Sequence, residues 1–269
     1  MSVVSEIALR STTFRIVTSS CIVTNPNPSL IPAPPPPTAT TTTTTLIVPT
    51  NPFLTSTTKF PYFATGGPSQ QKFDSPRKQQ ADWAPPGFVS NWGGMEIGGG
   101  MRYSSQTVDG LVYLHGGSSY QQSLQKMREE ASTPHILDEG TTNLPPPTLR
   151  KYTSCPAPPK LKDSGYDQLV HIAVPPASAP PDHLARVITW AIEGSLTTTP
   201  SSNAINSPLI GAGCRGWDVE SAASAFCSAL KSFDSTHTST ENDTAINLCV
   251  MDPEIADTIS ALANKSFNE

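Results

Sequence analysis

Residues 206–233 read NSPLIGAGCRGWDVESAASAFCSALKSF, and this stretch decides the fold. It starts with a short apolar run, Pro208-Leu209-Ile210, that reads as the end of a strand. A glycine turn follows, Gly211-Ala212-Gly213-Cys214-Arg215-Gly216. From Asp218 the pattern turns helical, with Val219, Ala222, Ala223, Phe226 and Leu230 on one face. Strand, glycine loop and helix N-terminus in series make an anion site. Loop N–H groups can converge on a phosphate, and the helix dipole adds positive potential. Glycine matters because a Cβ would hold the phosphate off the backbone.

Working outward, the C-terminal half repeats strand and helix. Residues 169–174, LVHIAV, form an apolar strand stopped by Pro175-Pro176. A helix from Asp182 carries Leu184, Val187, Ile188, Ala191 and Ile192 inward and stops near Gly194. After the organising stretch comes the strand 245–250, AINLCV. Asp252 caps the last helix, with Pro253 at its first position and Ile255, Ile259 and Leu262 inward. These strands are continuous apolar runs. Such runs belong to a mostly parallel sheet covered by helices on both faces, an α/β/α fold. In that architecture ligands bind outside the strands' carboxyl ends.

The N-terminal half is less regular. Residues 1–12 read as a tail, and 13–24 as one bent strand or two short ones with Phe14, Ile16 and Ile22 inward. Residues 25–45 are a Pro/Thr tract, expected to be a solvated excursion. Leu46-Ile47-Val48 is a buried strand that delivers Asn51 at its end. Residues 91–101, NWGGMEIGGGM, hold five glycines. Residues 108–115 read as a helix ended by Gly116-Gly117, and a second helix from Ser118 or Ser119 runs to about Ala131. Loops are expected at 64–90, 132–165 and 234–243, the second with a short strand near Lys151-Tyr152-Thr153. The whole of 13–267 reads as one domain.

Composition narrows the function. The chain has 269 residues and a net charge of −5, which argues against a general nucleic-acid or anionic-membrane binder. No apolar run approaches the ~20 residues of a membrane span. The five cysteines, Cys21, Cys155, Cys214, Cys227 and Cys249, include no CxxC pair. They read as reduced thiols in an intracellular protein, cytoplasmic or nuclear, with no zinc site. The Ser/Thr-rich, acid-poor N-terminus leaves an organellar transit peptide open. No metal or cofactor is implied, and a monomer is expected.

The ordered motifs LIVPTN (46–51), GGG (98–100), VDGLVYLHGG (108–117), LVHIAVPP (169–176) and SPLIGAGCRGWDVESAA (207–223) resemble those of the macro domain family, the binders of ADP-ribose. The resemblance spans roughly residues 13–267. It implies a three-layer α/β/α fold with a mostly parallel mixed sheet, and ADP-ribose or an ADP-ribosylated protein as partner. Carried over residue by residue, Asn51 contacts the distal ribose, and Gly98, Gly99 and Gly100 line a first phosphate loop. Val108, Asp109 and Gly110 open a helix beside the distal ribose, where hydrolytic members use an aspartate to orient water. Asp109 and Asn51 are therefore the catalytic candidates. Gly211, Ala212, Gly213, Cys214, Arg215, Gly216 and Trp217 form the diphosphate loop. The acid that contacts adenine in the family has no counterpart near Ser19-Ser20-Cys21-Ile22.

Plainer readings stand beside these. The glycine turn could be structural, or a dinucleotide fingerprint, though only 53 residues follow Gly216. Asp109 could simply cap a helix, and Asn51 could be a turn residue. His171 and His115 read as core histidines. Trp92 and Trp217 wall a pocket or pack in the core. The function classes are three: ADP-ribose binding, hydrolysis of ADP-ribosyl linkages or a related deacylation, and an interaction module that binds no nucleotide.

Overall fold

In the computed structural model the described residues are 3–10, 12–19, 21–23, 43–50, 54, 107–130, 151–175, 177, 179–198, 202–212, 215–236 and 244–268. They form seven strands and five helices in chain order: β1 (Val3–Ala8), β2 (Thr12–Thr18), β3 (Thr43–Thr50), α1 (Val108–Glu130), β4 (Thr153–Pro156), α2 (Pro159–Asp163), β5 (Gln168–Ala173), α3 (Pro181–Thr198), β6 (Ser202–Pro208), α4 (Val219–Thr236), β7 (Thr244–Val250) and α5 (Pro253–Asn268).

The strands make one mixed sheet in the order β1-β2-β7-β6-β3-β5-β4. The five inner strands are parallel, and β1 and β4 pair antiparallel at the two edges. Inner strands must be apolar on both faces because helices cover both. Alternate residues accordingly feed two cores. Phe14, Ile16, Ile47, Ile172, Ile205, Ile246 and Leu248 pack on one face beneath α3, α4 and α5. Val17, Leu46, Val48, Leu169 and Cys249 pack on the other with Val112, Tyr120 and Leu124 of α1 and Leu161 of α2.

α4 shows how one helix is fixed. Ala222, Ala223, Phe226, Leu230 and Phe233 recur at helical spacing and are buried. The Phe226 ring stacks on Phe14 of β2 with centroids 5.8 Å apart. Each such large side chain contributes about 2–3 kcal/mol by burial, so Phe226→Ala would cost about 3–5 kcal/mol. In α5, Asp252 caps the first turn by accepting from Glu254 N at 2.9 Å, as its sequence predicts.

Five expectations need correction. The expected tail contains β1, an edge strand held to β2 and joined by a surface ion pair, Arg15–Glu6 at 2.6 Å. Its half-exposed residues carry no apolar run to announce it. Thr43–Thr45, assigned to the Pro/Thr tract, are strand residues; Thr45 is fully buried between β5 and β6. Threonine is β-branched, and inside a sheet its backbone preference prevails over its low-complexity context. The strand before the glycine turn is Ser202–Pro208, upstream of Pro208-Leu209-Ile210. The segment 132–165, expected as a loop with a short strand near Lys151-Tyr152-Thr153, has that strand as β4, and it contains the helix α2 as well. Finally, α3 continues through Gly194, where a Cβ would lie 2.6 Å from the Tyr152 ring; the glycine is a packing notch.

Candidate functional site

Five parallel strands present their carboxyl ends on one side: Thr18, Thr50, Ala173, Pro208 and Val250. The glycine turn leaves from β6 on that side. Gly211 has φ +94° and Gly216 has φ +79°, both in the left-handed region that glycine adopts without strain. At Gly211 a Cβ would also sit 2.9 Å from Trp217 Cδ1 and 3.1 Å from Leu184 Cδ2. Trp217 is buried, at 4% exposure. Its backbone N–H donates to the Gly211 carbonyl at 3.2 Å, closing the turn on itself.

Three ties fix this loop to its neighbours. The Trp217 indole N–H donates to the Pro175 carbonyl beyond β5 at 2.9 Å. Ala177 N donates to the Arg215 carbonyl at 2.9 Å. The Arg215 guanidinium in turn donates to the Thr50 carbonyl at the end of β3, at 3.3 Å. Thr50 also accepts from Val174 N at 3.4 Å. The ends of β3, β5 and β6 are thereby joined around the loop, with a half-buried cation at the junction.

The helix after the loop does not offer its first turn freely. Asp218 accepts from Ser221 N and from Ser221 Oγ, both at 2.7 Å. These hydrogen bonds hold the Asp218 carboxyl below its ordinary value of 3.8. The dipole of α4 is thus answered by its own cap.

Asp109 sits in the first turn of α1 and is 4% exposed. It is not the cap of that helix. Thr107 has that role, accepting from Gly110 N at 3.0 Å through Oγ1 and from Leu111 N at 2.9 Å through its carbonyl. α1 is two helical segments joined at Gly117, with φ 61° and ψ −157°, so the expected break is present. The second segment carries Tyr120, buried at 1% exposure. Its hydroxyl shares a 2.6 Å hydrogen bond with His171 Nε2 of β5, and the rings stack with centroids 5.8 Å apart. Burial holds His171 down to about 4, against an opposing contribution from the Thr153 backbone. Burial above all, then the Asp109 charge, pushes the Tyr120 hydroxyl well above its ordinary range. Sequence reading took His171 as a core residue, as found, but missed Tyr120 as its partner. The signal was the unbroken apolar run around a single histidine, which demands one polar partner from across the sheet.

Asn51, Gly98, Gly99, Gly100, Gly213, Cys214 and Trp92 lie outside the described residues. Val108 is half-buried, Gly110 and Ala212 are buried, and Gly216 is exposed. His115 is half-buried on α1. Cys155, Cys227 and Cys249 are buried and Cys21 is half-buried, and none of these four is in a disulfide. Among the described residues no cluster of three or more metal-ligating side chains occurs, and no helix is long and apolar enough to cross a membrane.

No protein-family model and no curated protein matches the chain. Solved structures do. The Oceanobacillus iheyensis macrodomain with ADP aligns at TM-score 0.54 and 14% identity, over 98% of this chain and 96% of that one. The same macrodomain with MES bound gives 0.53 and 15%, over 98% and 96%. A point mutant of it with ADPR gives 0.51 and 14%, over 98% of both chains. At these identities the likeness is one of fold: the chain has the macrodomain fold, a three-layer α/β/α arrangement on a mixed sheet.

Proposed function

We propose that this macrodomain-fold chain binds ADP-ribose, free or attached to a protein, with its diphosphate on the Gly211–Gly216 turn. The observation that supports it is the pinned turn itself. Two left-handed glycines, a buried tryptophan bonded back to Gly211 and Arg215 joined to Thr50 fix the two ends of the turn at the carboxyl ends of β3, β5 and β6. Preorganised N–H groups with one cation suit a diphosphate better than a neutral ligand. The solved macrodomain with ADP has the same fold and extends the analogy to nucleotide ligands.

The test is calorimetric titration with ADP-ribose, with ATP and NAD as controls. Micromolar affinity, about −8 kcal/mol, is expected for ADP-ribose alone. Arg215→Ala should weaken it about tenfold with the thermal transition intact, the loss of one charge-assisted contact. No heat and no thermal shift would leave the interaction-module reading.

A second reading, hydrolysis of ADP-ribosyl linkages, is favoured by Asp109. Its carboxylate is buried in a helix whose cap is another residue, Thr107, so capping does not account for it. Asp109 would orient a water, with Asn51 beside it. Asp109→Ala should abolish turnover while sparing ADP-ribose binding; turnover at the wild-type rate removes Asp109 from the mechanism.

A further inference from the structure

The sheet ends at β4, which pairs with β5 alone. Its antiparallel register sets Thr153 opposite His171 and Cys155 opposite Leu169. Ala157 N donates to the Asp167 carbonyl at 2.8 Å, which continues that register by one residue and fixes its parity. Bonded pairs alternate along an antiparallel ladder, so Thr153 and Cys155 bond inward to β5 while Ser154 and Pro156 turn their backbone groups outward. Pro156 fits that parity, since the N–H it lacks would point away from β5. Among the described residues nothing bonds to the Ser154 N–H or carbonyl.

A cleft of about 410 Å³ lies beside this edge, lined by Lys151, Tyr152, Glu193, Leu196 and Thr197. Side chains alternate along β4. Thr153 Oγ1 meets Met127 of α1 and Cys155 is buried on the same side, so Ser154 belongs to the opposite, α3 face. Tyr152 is seated on Gly194 of α3, where a Cβ would come within 2.6 Å of its ring, and this holds one wall of the cleft. Arg186, Trp190, Glu193 and Thr197 follow one another on α3 at helical spacing. The Lys151 ammonium lies 5.6 Å from the centre of the Trp190 ring, and the Arg186 guanidinium 5.7 Å from it. The ring therefore answers both cations. Nothing answers Glu193: among the described residues its carboxylate has no ion pair and no hydrogen bond. The uncompensated charge in the cleft is negative.

We propose that the β4 edge and this cleft dock an extended peptide as an added strand, with a lysine or arginine of the peptide in the cleft. One peptide residue exchanges both backbone bonds with Ser154. Directly opposed residues share a face, so its side chain, or that of the residue two positions on, enters from the α3 side. The aliphatic stem lies along Leu196 and the Tyr152 ring, and the cationic head reaches the Glu193 carboxylate. The brevity of β4 and its proline confine pairing to a short register, which keeps the edge from recruiting a whole second sheet. β3 and β5 lie between β4 and the strand that carries the Gly211–Gly216 turn, so the site does not rest on nucleotide binding.

The test uses the full chain, nitrogen-labelled, and three acetylated and amidated pentapeptides, Val-Thr-X-Thr-Val with X lysine, glutamate or norleucine. In the free protein the Ser154 amide should exchange with solvent much faster than that of Cys155. A Ser154 amide as slow as Cys155, whether from its own chain or from self-association seen in sedimentation, would mean that the edge is already covered, and would overturn the proposal. The lysine peptide should slow Ser154 exchange and bind about fivefold more tightly than the norleucine peptide, with the glutamate peptide weaker than both. Glu193→Gln should remove the preference for lysine and leave the norleucine affinity unchanged. Equal affinities for the lysine and glutamate peptides, or a lysine preference that survives Glu193→Gln, would sink the charge assignment. Absence of binding by all three would sink the site.

Discussion

Trp217 donates its indole N–H to the carbonyl of Pro175, two residues past the end of β5, at 2.9 Å. A buried aromatic thereby sets the distance between two loops that belong to different strands. Trp217→Phe keeps most of the packing and loses the donor. Stability should fall by about 1–3 kcal/mol in urea unfolding. ADP-ribose affinity should fall with it, because the turn loses its tie to the neighbouring loop.

The two left-handed glycines separate conformation from packing. Gly216→Ala meets only Ala177 Cβ at 3.7 Å, so its cost is backbone strain, about 1 kcal/mol. Gly211→Ala pays that strain and also drives a methyl against Trp217 and Leu184, for about 2–4 kcal/mol in all. Thermal unfolding of the two variants should differ in that order; equal shifts would mean that the loop repacks at no cost.

His171 makes acid stability predictable in sign. Its folded-state value near 4 lies below the ordinary 6.5, so between those pH values the unfolded chain binds more protons. Stability from this group is complete above about 6.5, declines as pH falls through the window, and levels off below about 4. The span is of order 3 kcal/mol. Urea midpoints measured from pH 7 to pH 4 should show the decline in wild type and a shallower one in His171→Gln.

Asn247 donates from Nδ2 to Asn206 Oδ1 at 2.7 Å, between the parallel strands β7 and β6, and both residues are fully buried. Asn247→Leu alone removes the donor and should cost about 2 kcal/mol. Replacing both by leucine should cost less than the sum of the single changes. A double-mutant cycle with no coupling would show that the pair is not energetically linked.

The same two asparagines explain what the sequence could and could not reveal. β5 and β7 were legible because LVHIAV and AINLCV are apolar runs on both faces. β6 was not: SNAINSP carries a buried serine and a buried asparagine, and the asparagine's partner, Asn247, is visible only across the sheet. The glycine turn, the Asp252 cap and the core histidine were readable because each is a local choice of residue for a local conformation or a single burial demand. The capture of the α4 N-terminus by Asp218, the tie from Arg215 to Thr50 and the bond from Tyr120 to His171 join residues 3, 165 and 51 positions apart. The first is local, and the helical pattern beginning at Asp218 already hinted at it. The other two follow only from the order of the strands.

That strand order also governs when the molecule can form. β2 finds its parallel partner in β7, and β3 finds its partners in β5 and β6. Phe14 must wait for Ile246, and Leu46 for Leu169 and Asn206. The N-terminal strands therefore leave the ribosome without the neighbours that will flank them, and the β1–β2 hairpin is a two-stranded ribbon, marginal alone. Sheet closure is a late event of high contact order, slow by the entropy of the loops it must close. A stop anywhere before β7 would leave β2 and β6 as open edges, a state that invites chain-to-chain pairing rather than a smaller native protein.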